Sequence, residues 1–162
     1  MRTLLSCAVA LALLSGCIFV KVREHDPQAG GPADAALQPA ASAESCSTPA
    51  PGGEPLKATP VASHAIGDIP GKTLTSILLT VPPHATANAH RHAGVVFGYV
   101  IEGMVCSQIT GDASLKPYRA GESFFEPPGS QHLAFVNPGA GPAKILVTQV
   151  ADTGATLTMP LQ

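Results

Sequence analysis

From Thr59 onward the apolar residues of this chain fall into short runs. Leu74–Val81, Val95–Ile101, Met104–Ile109, Glu122–Glu126, His132–Asn137 and Lys144–Val150 are each rich in β-branched or aromatic residues. Turn signals separate them: Pro82-Pro83, Glu102-Gly103, Gly111-Asp112, Ala120-Gly121, Pro127-Pro128-Gly129 and Pro138-Gly139. Short strands at this spacing, divided by Gly and Pro, predict an all-β sandwich or small antiparallel barrel. The predicted domain is 58–162, about a hundred residues, which is enough for one core.

The pattern upstream is different. In residues 1–17 a single Arg2 precedes an apolar run from Leu4 to Leu14, then small residues. This is the layout of an export signal, too short to span a membrane. Leu14-Ser15-Gly16-Cys17 resembles the bacterial lipobox. That resemblance implies lipidation of Cys17 as the mature N-terminus, and a lipoprotein anchored in the cell envelope facing the periplasm or the exterior. The alternative is an ordinary cleaved signal and a secreted soluble protein. Ile18 is not an aspartate, which leaves outer-membrane sorting open. Residues 18–57 are dominated by Ala, Pro, Gly and Ser with no period of 2 or 3.6, and predict a disordered linker that tethers the domain. His25 and Cys46 read as solvated linker residues. Whether Cys46 pairs with Cys106 in an oxidising compartment is left open by their spacing.

Composition narrows the function. Charged residues make up 12% of the 162, and the 16 Gly and 16 Pro favour turns over long helices. With no Trp and 4% aromatics, the core must come from aliphatic residues and five Phe. The net charge is −2 and there is no basic block, which argues against nucleic-acid binding. The sequence has no Gly-rich phosphate loop with lysine, no G-x-S-x-G, no C-x-x-C and no H-E-x-x-H.

The chemistry concentrates in HRHAGVVFGYVIEG, residues 90–103. Side chains alternate along a strand, so His90 and His92 point the same way and can reach one metal ion. Gly94, Val96, Gly98 and Val100 share their parity, and the two glycines are expected to leave a cavity beside the imidazoles. His132 follows a Pro127-Pro128-Gly129 turn of few conformations, placed to close the site. Glu126 is read as an acceptor for a histidine N–H, a replacement ligand, or a rim carboxylate in solvent. A two-residue hairpin at Glu102-Gly103 would set Ser107 opposite Gly98 on the histidine side, Cys106 opposite Tyr99, and Gln108 outward. Phe97, Tyr99, Phe124, Phe125 and Phe135 read as core. His84 reads as a loop residue, and His64 as part of an extended arm.

These clusters resemble the two motifs of the cupin superfamily over roughly Leu74 to Val150. The first, G-x5-H-x-H-x3,4-E-x6-G, runs from His84 through His90, His92 and Val96 to Gly103. The second, G-x5-P-x-G-x2-H-x3-N, runs from Gly121 through Pro127-Pro128-Gly129 and His132 to Asn137, with one extra residue before the asparagine. The resemblance implies a single cupin-type antiparallel β-barrel, or jelly roll, with His90, His92 and His132 as metal ligands. Two departures stand out: Val96 occupies the family's ligand glutamate position, and His84 its first glycine. Three imidazoles with open positions suit divalent iron, manganese, zinc, nickel or copper. The implied function is a metal-binding cupin, with a dioxygenase-type oxidoreductase acting on a small organic molecule as the enzymatic form. The alternative is a non-catalytic binding module for a small ligand or an envelope partner. Cupin domains often pair, so a homodimer is also implied.

Overall fold

The structure, a computed structural model, describes residues 45–47 and 54–161. The leader, with Cys17, and most of the linker lie outside the described residues. Among the described residues eleven strands follow one another: β1 Lys57–Ala65, β2 Lys72–Val81, β3 Thr86–Ala87, β4 His90–His92, β5 Val95–Glu102, β6 Met104–Ile109, β7 Lys116–Arg119, β8 Ser123–Glu126, β9 Gln131–Val136, β10 Ala143–Asp152 and β11 Thr158–Pro160. They form two antiparallel sheets, β1-β2-β10-β5-β8 and β11-β4-β9-β6-β7, with β3 joined to β9. The expected all-β jelly roll is therefore present.

Period-2 burial explains why these residues form these strands. In β10, Ala143, Ile145, Val147, Gln149 and Ala151 are buried and alternate with half-buried residues. In β5, Val96, Gly98 and Val100 face in, and Phe97, Tyr99 and Ile101 face out. Val81, Ala85, Val96, Val100, Val105, Phe124, Phe135, Ala143, Ile145 and Val147 fill the space between the sheets. Phe124 and Phe135 are thus core, as expected. Phe97, Tyr99 and Phe125 are instead 46%, 42% and 57% exposed, because their parity puts them on the outer sheet face.

Two expected continuities are broken by sheet changes. His90 to Val100 is not one strand: β4 lies in the second sheet and β5 in the first. The chain crosses at Ala93-Gly94, where a side-chain Cβ at Gly94 would fall 2.0 Å from the Val150 carbonyl oxygen. Gly94 is required there by close backbone approach and leaves no cavity. Gly98 leaves none either, since its missing Cβ position lies 2.1 Å from the Phe124 ring. Nor does Glu102-Gly103 make a hairpin. β5 bonds to β10 and β8, and β6 bonds to β7 and β9. Ser107 is therefore opposite Phe135 and Lys116, and Cys106 opposite Val136 and Pro117.

β6 carries two environments. Val105 joins the core between the sheets, whereas Met104 and Cys106 join Val136 in a smaller cluster that half-buried Cys46 and Leu115 cover. Cys46 and Cys106 form a disulfide across 60 residues of sequence. Cys46 is thus no free linker residue: it fixes part of the upstream segment against the second sheet. β1 was expected only as an extended arm. It is the edge strand beside β2, with a bulge between Pro60 and Ala62, and His64 is exposed on it.

Candidate metal centre

β4 and β9 are antiparallel neighbours, and His90 pairs directly with His132 across them. His92 lies on the same face of β4. The ring centroids are 4.8 Å apart for His90 and His92, 4.9 Å for His90 and His132, and 6.4 Å for His92 and His132. One nitrogen from each ring lies within 4.8 Å of the others. The structure therefore brings together all three histidines singled out in the sequence. The turn before β9 helps to place the third: the Ser130 N–H and Oγ both donate to the Pro127 carbonyl, at 3.2 and 2.8 Å. His84 stays apart, exposed in a loop with φ of 57°.

Each imidazole is oriented by its other nitrogen. His90 Nδ1 lies 2.6 Å from the Asn88 carbonyl and His92 Nδ1 lies 3.1 Å from the Leu157 carbonyl. A carbonyl only accepts, so both Nδ1 atoms carry the proton and both Nε2 lone pairs are free. For His132 the roles reverse. Its Nε2 is 2.9 Å from the Ser107 Oγ, which leaves Nδ1 as the free nitrogen. Burial, reinforced by the neighbouring imidazoles of His132 and His92, holds the His90 pKa below its ordinary value and favours the neutral, ligating form.

Glu126 is no rim carboxylate: it is 2% exposed. Its Oε1 lies 3.3 Å from His132 Nδ1 and its Oε2 3.8 Å from His92 Nε2. Burial opposes the charged carboxylate, but the imidazoles of His132, His92 and His90 outweigh it and hold the carboxyl below its ordinary range. Even so, the atoms are not aligned for hydrogen bonding. Glu126 Oε2 and His132 Nδ1 are buried with no hydrogen-bond partner. Orphaned buried polar atoms are costly. A carboxylate oxygen and an imidazole nitrogen facing one space would both be satisfied by a cation. The residues present therefore fit a divalent metal ion.

The histidines open onto a cavity of about 410 Å³. Its walls are mostly aliphatic and aromatic, including Leu56, Ile77, Leu79, Val96, Phe124 and Val147. No lysine or arginine is among the described lining residues. Gln149, which sequence reasoning missed, also lines it, 4% exposed and with Oε1 unpartnered. The signal was available, since Gln149 is the one polar residue on the buried parity of β10. Ser107 was placed on the histidine side by a hairpin that does not exist, yet it does face His132. Asn137 has a structural role: its Nδ2 donates to the carbonyls of Val81, Pro82 and Gly141, and its Oδ1 accepts from Gly139 N–H.

Comparison with known proteins agrees with this architecture. Residues 77–149 match the model of the Cupin domain family. No curated protein sequence matches the chain. Among solved structures, an uncharacterized conserved protein with a double-stranded beta-helix domain from Klebsiella pneumoniae is similar at 19% identity and a TM-score of 0.52, covering 71% of this chain and 92% of that one. The Cnp3 cupin domain of Schizosaccharomyces pombe is similar at 15% identity and a TM-score of 0.48, covering 60% of this chain and 66% of that one. The protein TT1209 from Thermus thermophilus is similar at 23% identity and a TM-score of 0.47, covering 60% of this chain and 83% of that one.

Proposed function

With residues 77–149 matching the cupin domain and the barrel built in that manner, we propose that this protein binds one divalent metal ion and acts on a small organic molecule. The observation that carries this is the meeting of three imidazoles, each with a free nitrogen, at one largely apolar cavity. His90 Nε2, His92 Nε2 and His132 Nδ1 hold the ion, with Asn88, Leu157 and Ser107 fixing the rings from behind. Iron, manganese, zinc, nickel and copper all suit imidazole donors. When bound, such an ion supplies Lewis acidity or oxygen activation, consistent with a dioxygenase-type oxidoreductase. The apolar lining without lysine or arginine favours a neutral molecule with an apolar body, and Gln149 offers its carboxamide to a polar group on it.

The second reading is a binding module without catalysis, favoured by Val96 in the family's glutamate position. Metal analysis of untagged protein separates the two. About one metal per chain, lost in His92→Ala, supports the metalloprotein; substoichiometric metal unchanged by that substitution supports the binding module.

The cell envelope remains the proposed location, and the Cys46–Cys106 disulfide supports an oxidising compartment. Acyl labelling abolished by Cys17→Ser tests the lipid anchor, and labelling that persists rules it out. A homodimer is proposed through the outer face of the five-stranded sheet, where exposed Phe97 and Phe125 pair across β5 and β8 beside Tyr99 and Ile101. Sedimentation that shows only monomer at high micromolar concentration rules it out.

A further inference from the structure

We propose that Glu126 is a fourth ligand to the metal, supplying from β8 the carboxylate that Val96 on β5 lacks. This rests on the metal-binding reading above. Val96 and Glu126 are direct partners in the β5–β8 ladder. Residues so paired point to the same sheet face, with Cα atoms about 4.5–5.5 Å apart. Both are buried, at 1% and 2% exposure. A glutamate one strand over, with its longer side chain, thus projects into the space a ligand at position 96 would have entered.

The contacts fit that role. The two carboxylate oxygens approach different histidines, Oε1 toward His132 Nδ1 at 3.3 Å and Oε2 toward His92 Nε2 at 3.8 Å. Both of these nitrogens are the ones left free by the second hydrogen bond of each ring. The carboxylate therefore faces the Nε2 lone pair of His92 and the uncommitted Nδ1 of His132, and its Oε2 has no hydrogen-bond partner. Acceptors grouped this way, away from water, are satisfied together by one cation among them. The resulting donor set is three imidazoles and one carboxylate. Its negative charge offsets part of the ion's charge inside an apolar barrel, where a three-imidazole site alone would leave it uncompensated. The rival arrangement is a metal-free pair, in which a protonated histidine neutralises Glu126.

The test uses the untagged chain, stripped with chelator and titrated with cobalt(II), following affinity by chelator competition and geometry by the visible spectrum. Glu126→Gln keeps the shape and removes the charge. The expected result is a loss of affinity of at least tenfold, with a changed spectrum and a metal-free protein that still unfolds cooperatively. The paired exchange Val96→Glu with Glu126→Val should recover most of the lost affinity, returning the carboxylate to the neighbouring strand. If the unsubstituted chain takes up cobalt and Glu126→Gln matches it in affinity and spectrum, Glu126 is no ligand and this inference alone fails. If the unsubstituted chain takes up no metal at all, the metal-binding reading fails and the inference falls with it.

Discussion

Ser107 Oγ lies 2.9 Å from His132 Nε2, and both side chains are buried, at 4% exposure each. Ser107 is on β6 and His132 on β9, adjacent strands of the second sheet. The serine thereby fixes which imidazole nitrogen turns toward Glu126. Ser107→Ala should leave that Nε2 unsatisfied, destabilising the metal-free fold by about 1–3 kcal/mol. Metal affinity should fall about 10- to 100-fold, as expected when a partner behind a ligand is removed. Chelator competition against the unsubstituted protein measures it, and unchanged affinity would show that the serine has no orienting role.

Acid should weaken the metal-free barrel. His90 is held below its ordinary value of 6.5 by burial, so as pH falls through that value the unfolded chain takes up a proton that the folded one resists. Stability therefore rises with pH across this range and is lost on acidification. Glu126 adds a loss of the same sign lower down. Its carboxyl is held below the ordinary 4.5, so its contribution is present above that value and disappears as pH falls through the folded pKa. Melting temperatures of chelator-treated protein should fall from about pH 7 toward pH 5 and fall again below pH 4.5; a flat profile over the first interval contradicts the His90 shift, and over the second the Glu126 shift.

The disulfide closes a loop of 60 residues, a length at which cross-links commonly contribute about 2–4 kcal/mol. Cys46→Ser with Cys106→Ser should lower the melting temperature by roughly 10–30 °C for a domain of this size. The histidines lie on other strands and remain in place, so about one metal per chain should still bind. Calorimetry with metal analysis checks both halves of the expectation.

The two glycines of β5 and its approach should respond differently to alanine. At Gly94 the added carbon meets the backbone of Val150, at Gly98 the ring of Phe124. Backbone held in a ladder cannot give way, whereas Phe124 borders the cavity and has space to pivot. Gly98→Ala should cost about 1–3 kcal/mol and narrow the cavity; Gly94→Ala should cost more. Denaturant unfolding ranks them, and the reverse order would contradict the packing described.

Much of the barrel was legible because burial follows a strict alternation. The apolar runs gave β2, β5, β6, β8, β9 and β10 close to their observed bounds, and the histidine spacing gave the site. What was not legible depends on which strands become neighbours. The local signal at Glu102-Gly103 suits a hairpin, yet the chain there changes sheets, and no short-range pattern encodes that choice. β1 escaped notice because it is an exposed edge, with Pro60 in it and little alternation to read. Residue type alone put Phe97, Tyr99 and Phe125 in the core, although parity with the buried Val96 and Phe124 already placed them outside. The same parity turns Glu126 inward with Phe124, but that it meets the histidines follows from its pairing with Val96, a contact 30 positions away in sequence.

Leu56 and Ala58, at the start of the barrel, border the same hollow as Thr158 and Pro160 of β11. Both ends of the folded region thus stand at the pocket's rim, and Pro160 pairs with His90 itself. A segment fused just downstream of β11 begins close to that rim. A polyhistidine tail in that position would compete for the ion and crowd incoming molecules, so recombinant handles for this protein belong elsewhere, or must be removable.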